Sequence, residues 1–186
     1  MIWYTLLIGA VAVERLAELA VARRNRRWSL AHGAIEAGQR HYPAMVLLHT
    51  GLLAGCLAEV WAAGRSFVPF VGWPMLAVVI AAQGLRWWCI ATLGRRWNTR
   101  VIVIPGMALV TNGPYRWLRH PNYAAVAVEG VALPLVHNAW MTAVAFTVCN
   151  TALLTVRIHC EDAALASASA SASASAGAAR IDRVTG

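Results

Sequence analysis

The segment Gly113-Pro-Tyr-Arg-Trp-Leu-Arg-His-Pro-Asn-Tyr123 lies between two long apolar stretches of the chain. It combines prolines, aromatic rings, arginines and a histidine within eleven residues. Hydrocarbon cannot hydrogen-bond to irregular backbone, so such a loop is tolerated near a membrane only where it is buried in protein or lines a cavity. The segment therefore indicates a site built at the end of a set of membrane helices.

The composition is typical of a polytopic membrane protein. Hydrophobic residues make up 59% of the 186 residues, and charged residues make up 13%, against about 25% in soluble domains. The mean hydropathy is +0.56. The length suits one domain. We therefore predict an all-α membrane protein.

Apolar runs and turn signals predict five membrane helices. The expected spans are residues 2–22, 43–63, 69–93, 124–136 and 139–156. The fourth is short for a hydrocarbon core of about 30 Å, so the last two form a hairpin whose complete crossing is left open. Residues 1–165 then form the membrane domain. Alternating Ala and Ser mark residues 166–186 as a low-complexity tail, which we expect to be flexible.

All sixteen basic residues are arginine, and the formal net charge is +8. The arginines cluster at the ends of apolar segments, which disfavours a nucleic-acid partner and follows the positive-inside pattern. Nearly all loop arginines follow the first span, the third span or the last span. An external N-terminus would place all three segments in the cytoplasm. We therefore expect a multi-pass cell-membrane protein with a cytoplasmic C-terminus.

A second charged cluster, Arg157-Ile-His-Cys-Glu161-Asp162, follows the last apolar segment. Arg157 and Glu161 are four residues apart and share one helix face, so one helix end presents a cation and a carboxylate together. Glu129 lies inside the fourth span, where an ionisable group is a functional hypothesis by default. A structural pairing of Glu129 with Arg86 is the equal alternative.

Metal and disulfide chemistry are not indicated. The four cysteines show no paired spacing, which argues against a disulfide framework or a zinc site. His41 and His49 lie on one helix face without a third ligand at a suitable spacing.

The ordered set Gly-Pro-Tyr-x-x-x-Arg-His-Pro-Asn-Tyr, an apolar hairpin and Arg-x-x-x-Glu-Asp resembles the isoprenylcysteine carboxyl methyltransferase family over about residues 70–165. The resemblance implies a methyltransferase that binds S-adenosylmethionine without a Rossmann fold, in a cytoplasmic pocket above the membrane helices. The family usually carries Glu-Glu where this chain has Glu161-Asp162.

Site roles follow from this resemblance position by position. Arg157 would face the methyl acceptor, and together with Glu129 it is a candidate catalytic residue. Glu161 would pair with the α-amino group of the cofactor. The other implied cofactor contacts are Met107, Ala108, Leu109, Val110, Tyr115, His120, Pro121, Asn122 and Tyr123.

These residue types suit methyl transfer. A carboxylate complements the ammonium of S-adenosylmethionine, and an aromatic wall stabilises its sulfonium by cation–π attraction. The reaction is an in-line displacement, so positioning and exclusion of water supply most of the rate.

The N-terminal half is similar to bacterial methyltransferases associated with type III polyketide synthases. The similarity rests on Val13-Glu-Arg-Leu-Ala-Glu-Leu19, the Arg-Arg-Asn that follows, and Gly38-Gln-Arg-His-Tyr-Pro-x-Met45. It implies O-methylation of a long-chain alkylresorcinol or alkylpyrone, with a lipophilic small molecule and membrane lipids as partners. A phenol must lose its proton, and the candidate bases are Glu129, His41, His49 and His120.

Other functions stay open at this point. Within the family, the alternatives are carboxyl methylation of a prenylcysteine-like substrate and N-methylation of a phospholipid. Outside it, the alternative is a small membrane transporter or scaffold.

Overall fold

Five helices and one small sheet make up the described part of the chain in this computed structural model. The helices are α1 (Ile2–Ala31), α2 (Tyr42–Ala62), α3 (Pro69–Leu93), α4 (Pro121–Leu135) and α5 (Trp140–Thr185). The strands are β1 (Ile35–Ala37) and β2 (Val101–Val103). Residues 1–39 and 41–168 are described with their side chains, and residues 40 and 169–185 only by their backbone element. Most of the predicted flexible tail, 166–186, therefore lies outside the fully described residues.

Three helices of the described chain are long and apolar enough to cross a membrane, namely α2, α3 with the turn that follows it, and α5 as far as Ala168. Helix α1 is not among these three helices, and its middle carries the charged residues Glu14, Arg15 and Glu18. Helix α4 has 15 residues and is therefore only about 22 Å long. The predicted all-α membrane fold is confirmed, and a fivefold crossing of the bilayer stays a prediction.

Helix α1 continues past Ala22, where the first span was expected to end. Arginine and alanine are good helix formers, so the Arg-rich segment prolongs the helix. The chain first takes a left-handed conformation at Gly33, with φ 75°. The extension brings Asn25 to the loop after α3, where its amide donates hydrogen bonds to the carbonyls of Gly94 at 3.1 Å and Trp97 at 2.8 Å.

The sheet ties two connectors together at the same end of the bundle. Strands β1 and β2 are antiparallel, with Glu36 opposite Ile102. Strand β1 lies in the connector between α1 and α2, and β2 lies in the loop after α3. Glu36 accepts charged hydrogen bonds from Arg26 and Arg100. Burial alone would raise the pKa of Glu36, but the two guanidinium groups outweigh it and hold the pKa below its usual value.

Helix α4 packs between α3 and α5. A side chain at Gly130 would collide with the ring of Phe146, so glycine lets α4 and α5 approach closely. At the end of the bundle away from the sheet, the Tyr4 hydroxyl donates to the carbonyl of Leu133 at 3.1 Å. These contacts fix the depth of α4 among its neighbours.

A buried network of charges joins α1, α3 and α4. Arg15 lies 2.6 Å from both Glu18 and Glu129. Glu18 also pairs with Arg86, and both of these side chains are at least nine-tenths buried. The alternative pairing of Glu129 with Arg86 is therefore wrong, since each takes a partner from α1 instead.

Removal of one member of this network should be strongly destabilising. Arg15→Met leaves Glu129 buried without a cation, which costs about 3–5 kcal/mol. Glu129→Leu leaves Arg15 paired with Glu18 and should cost less. In the double variant Arg15→Met/Glu129→Leu, the free energy of unfolding should fall by less than the sum of the falls in the two single variants, because no unpaired carboxylate remains at position 129. Unfolding of each variant in detergent measures these changes in the free energy of unfolding, and Val13→Met on the exposed face of α1 is the control. Strictly additive losses would contradict the pairing.

Candidate functional site

A cavity of about 520 Å³ opens at the end of the bundle that carries the sheet. Its walls are the loop after α3, the first turn of α4 and the turns of α5 that follow Arg157. We call it the polar cavity. Its polar and charged lining includes Arg96, Asn98, Arg100, Thr111, Arg119, His120, Glu161 and Asp162, and its aliphatic lining includes Ile102, Ile104, Leu109 and Leu165.

Turns in the loop after α3 shape this cavity. Gly106 has φ 76° and Gly113 has φ 56°, conformations that favour glycine. A Cβ on Gly113 would lie 2.6 Å from the hydroxyl of Thr92, so the loop packs directly on α3. This packing half-buries Tyr115, and that burial, followed by the effect of the neighbouring Cys89, raises the pKa of its phenol far above the usual range. Tyr115 is therefore a neutral hydrogen-bonding group.

The polar cavity collects most of the residues that the family resemblance assigned to the cofactor. Pro121 is an exception, because it is buried at the start of α4, where proline favours helix initiation. Glu129 is the other site residue that lies elsewhere. The assigned residues that line the cavity are Met107, Ala108, Leu109, Val110, Tyr115, His120, Asn122, Tyr123, Arg157 and Glu161.

Carboxylates and aromatic rings lie side by side at the wall between α4 and α5. Glu161 accepts a hydrogen bond from the hydroxyl of Tyr123. The ring of His120 stacks on Tyr123, with centroids 5.4 Å apart. Its nitrogens lie 3.9 Å from Glu161 and 3.5 Å from Asp162. Asp162 also pairs with Arg119 at 3.2 Å, near the rim. This arrangement suits a ligand that carries both an ammonium and a carboxylate.

A second cavity of about 320 Å³ lies inside the bundle and is lined by residues of all five helices. We call it the apolar cavity. Glu129 lines it, together with its partner Arg15. Most of its wall is hydrophobic and comprises Val11, Leu16, Leu19, Val46, Leu52, Leu53, Val126, Phe146, Leu153 and Leu154.

The two cavities meet at a junction around Arg157, whose side chain is nine-tenths buried. Its Nε donates to the hydroxyl of Tyr123 at 2.9 Å, one Nη contacts the sulfur of Met45, and the other donates to the carbonyl of Thr99. These contacts hold the guanidinium in place from three sides. The residues shared by both cavities are Trp97, Asn122, Tyr123 and Arg157. We did not predict Trp97, because its place depends on packing against α1.

The candidate bases are distributed around the junction. His49 and Glu129 line the apolar cavity, and His120 lines the polar cavity. His41 lies behind Arg157, outside both linings. Burial, and then the charge of Arg157, lowers the pKa of His41 and favours its neutral form. Their catalytic roles stay predictions. Within the described residues, no group of three or more His, Cys, Asp or Glu side chains is placed to hold a metal ion.

Comparison with known proteins identifies the class. The isoprenylcysteine carboxyl methyltransferase (ICMT) family matches residues 75–167, which include Arg157 and most of the polar-cavity lining. The chain therefore belongs to this family of membrane methyltransferases.

Two bacterial relatives match almost the whole chain. The uncharacterized protein YpbQ of Bacillus subtilis strain 168 is 42% identical over 166 residues, which cover 89% of this chain and 96% of that protein. An uncharacterized protein of Haemophilus influenzae strain Rd is 24% identical over 169 residues, with coverage of 89% and 96%.

Proposed function

We propose that this protein transfers a methyl group from S-adenosylmethionine to a ring oxygen of a long-chain alkylresorcinol or alkylpyrone. The observation that carries the proposal is the junction of the polar and apolar cavities at Arg157. A water-soluble methyl donor and a lipophilic acceptor need compartments of opposite character that meet where the methyl group passes.

The residues of the polar cavity fit the proposed methyl donor. S-adenosylmethionine supplies an electrophilic methyl group on a cationic sulfur, together with an ammonium, a carboxylate and an aromatic base. Glu161 would accept hydrogen bonds from the ammonium, and Arg119 would pair with the carboxylate. Aliphatic side chains such as Ile102 and Leu109 would cover the base.

Tyr123 links the two halves of the proposed reaction. Its hydroxyl bonds both to Glu161 and to the guanidinium of Arg157. Its ring stacks on His120, and the guanidinium of Arg157 lies 5.2 Å from the ring centroid, so cation–π attraction helps to hold Arg157 at the junction. The same hydroxyl therefore lies between the proposed donor and acceptor sites.

Arg157 is the group best placed to orient the acceptor oxygen. A guanidinium keeps its charge at every accessible pH, and its attraction for an oxyanion is strong where water is scarce. It would favour the phenolate or enolate form of the acceptor and hold it in line with the methyl group. Glu129 and His49, which line the same cavity, are the candidate proton acceptors.

The charge of Arg157 also ranks the alternative acceptors. A prenylcysteine-like carboxylate would pair well with a guanidinium, which makes it the second candidate. An amine headgroup of a phospholipid would bring a cation against a buried cation, which is unfavourable. For the neutral alkyl chain of any acceptor, the hydrophobic walls of the apolar cavity supply the binding energy.

The proposed orientation places the polar cavity in the cytoplasm. The Arg-rich end of α1 and the Arg-rich loop after α3 meet at the mouth of this cavity. Positively charged connectors favour the cytoplasmic side of a membrane. The C-terminus of α5 would lie on the same side.

Glu161→Gln should weaken S-adenosylmethionine binding about ten- to a hundredfold, because a hydrogen bond to a charged group contributes about 1.5–3 kcal/mol. Titration calorimetry on the detergent-solubilised protein measures the affinity. His159→Gln is the matched control, since His159 is an exposed neighbour that contacts only the carbonyl of Thr155. An affinity equal to that of the unaltered protein would remove Glu161 from the donor site.

Activity should rise with the alkyl chain length of the acceptor. Each buried CH₂ contributes about 0.8 kcal/mol, so the rate at a fixed low concentration should grow about fourfold per CH₂ until the cavity is filled. The rate should also increase with pH, because the acceptor must lose a proton. Transfer of labelled methyl groups to a homologous series of alkylresorcinols tests both trends. Methylation of a prenylcysteine analogue without any ring methylation would replace this acceptor class by the second candidate.

A further inference from the structure

Asn150 is a polar side chain on the otherwise hydrophobic face of α5 that lines the apolar cavity. Only 3% of the residue is exposed, and its amide oxygen has no hydrogen-bond partner among the described residues. An unpaired buried amide destabilises a folded protein. Polar residues at this depth in membrane helices commonly serve function. Asn150 is therefore more than a packing residue.

Two further groups with free hydrogen-bonding capacity line the same cavity from other helices. On α3, one Nη of Arg86 has no hydrogen-bond partner within residues 1–39 and 41–168, although the rest of the guanidinium binds Glu18. On α2, Nδ1 of His49 lies 2.8 Å from the carbonyl of Met45. A carbonyl only accepts, so Nδ1 carries the proton and Nε2 of the neutral ring is a free acceptor.

His49 and Asn150 both lie below the junction, one on α2 and the other on α5. His49 follows Met45 by one helical turn, about 6 Å, and Met45 touches Arg157. Asn150 precedes Arg157 by two turns, about 10 Å along α5. His49 and Phe146, which is one turn from Asn150, are in edge-to-face contact at 5.6 Å. His49 and Asn150 therefore line the same region of the cavity, and Arg86 lines the cavity from α3.

The other charged groups of the cavity do not supply hydrogen-bond partners for these three side chains. Arg15 already pairs with both Glu18 and Glu129. A plain hydrocarbon chain in the cavity would leave Asn150, His49 and the free Nη of Arg86 without partners in a medium of low dielectric constant.

We propose that Asn150, His49 and Arg86 form a polar subsite that binds a second oxygen function of the acceptor, specifically a hydroxyl. A hydroxyl can accept from the free Nη of Arg86 and donate to Asn150 or to Nε2 of His49. The inference rests on the proposed function, because it takes the apolar cavity as the acceptor site. The subsite would then favour acceptors that carry two oxygen functions over acceptors that carry one.

The test compares two acceptors of equal chain length, a 5-alkylresorcinol and the 3-alkylphenol that lacks the second hydroxyl. The unaltered protein should prefer the resorcinol in kcat/KM by roughly tenfold, after correction for its second reactive position, because a good hydrogen bond has about this effect. Asn150→Leu should remove most of this preference by slowing the resorcinol alone, without a change in S-adenosylmethionine affinity. Thr151→Leu is the matched control, since Thr151 is exposed and bonds only to the carbonyl of Thr147.

Thermal unfolding in detergent tests the subsite independently of turnover. Without ligand, Asn150→Leu should unfold at a higher temperature than the unaltered protein, because an unpaired amide is replaced by an aliphatic group. The alkylresorcinol should then stabilise the unaltered protein more than it stabilises the variant.

Each result has a distinct meaning. An unchanged resorcinol preference in a folded Asn150→Leu variant would overturn the subsite while the proposed function stands. If the unaltered protein methylates neither ring, the proposed function fails, and the difference in stabilisation by the alkylresorcinol still decides whether the subsite exists.

Discussion

The burial of one cation, Arg157, organises the functional end of this protein. A guanidinium inside an apolar bundle is stable only if its donors are satisfied. Its partners come from separate parts of the chain: the start of α2 supplies Met45, α4 supplies Tyr123, and the loop after α3 supplies Thr99. The need to satisfy Arg157 therefore draws these elements together. The point where they meet is also the point where the polar and apolar cavities join.

A second set of buried charges determines the shape of the apolar cavity. Arg15 on α1 pairs with Glu129 on α4, and Glu18 on α1 pairs with Arg86 on α3. These pairs hold α1 against the other helices although its charges make it a poor span by composition. Close packing at Gly130 brings α5 onto the opposite side of α4. A cavity wide enough for a lipophilic ligand remains between helices that are otherwise tightly held.

The family resemblance, together with two local signals, was sufficient to predict the polar cavity but not the apolar cavity. Turn chemistry marks the segment 113–123, and helical periodicity places Arg157 and Glu161 on one face. These two signals are separated in sequence, with Tyr123 and Arg157 34 residues apart, and only the resemblance implied that they share one pocket. The wall of the apolar cavity comes from all five helices and from the loop after α3, and many of its polar members are single residues in apolar runs. Trp97 and Asn150 carry no local motif. Their importance depends on long-range packing, which a single sequence does not specify.

The central claim is that Arg157 acts on the acceptor and that the methyl donor is held elsewhere, at Glu161. The most direct measurement is the Arg157→Gln variant, tested in parallel for S-adenosylmethionine affinity and for methyl transfer to a long-chain alkylresorcinol. Loss of a preorganised hydrogen-bond donor at the reacting oxygen lowers the turnover number by a factor of about 10²–10³. We expect a loss of turnover of this size with a nearly unchanged affinity for S-adenosylmethionine. Transfer at the rate of the unaltered protein, or loss of donor binding equal to the loss of transfer, would contradict it.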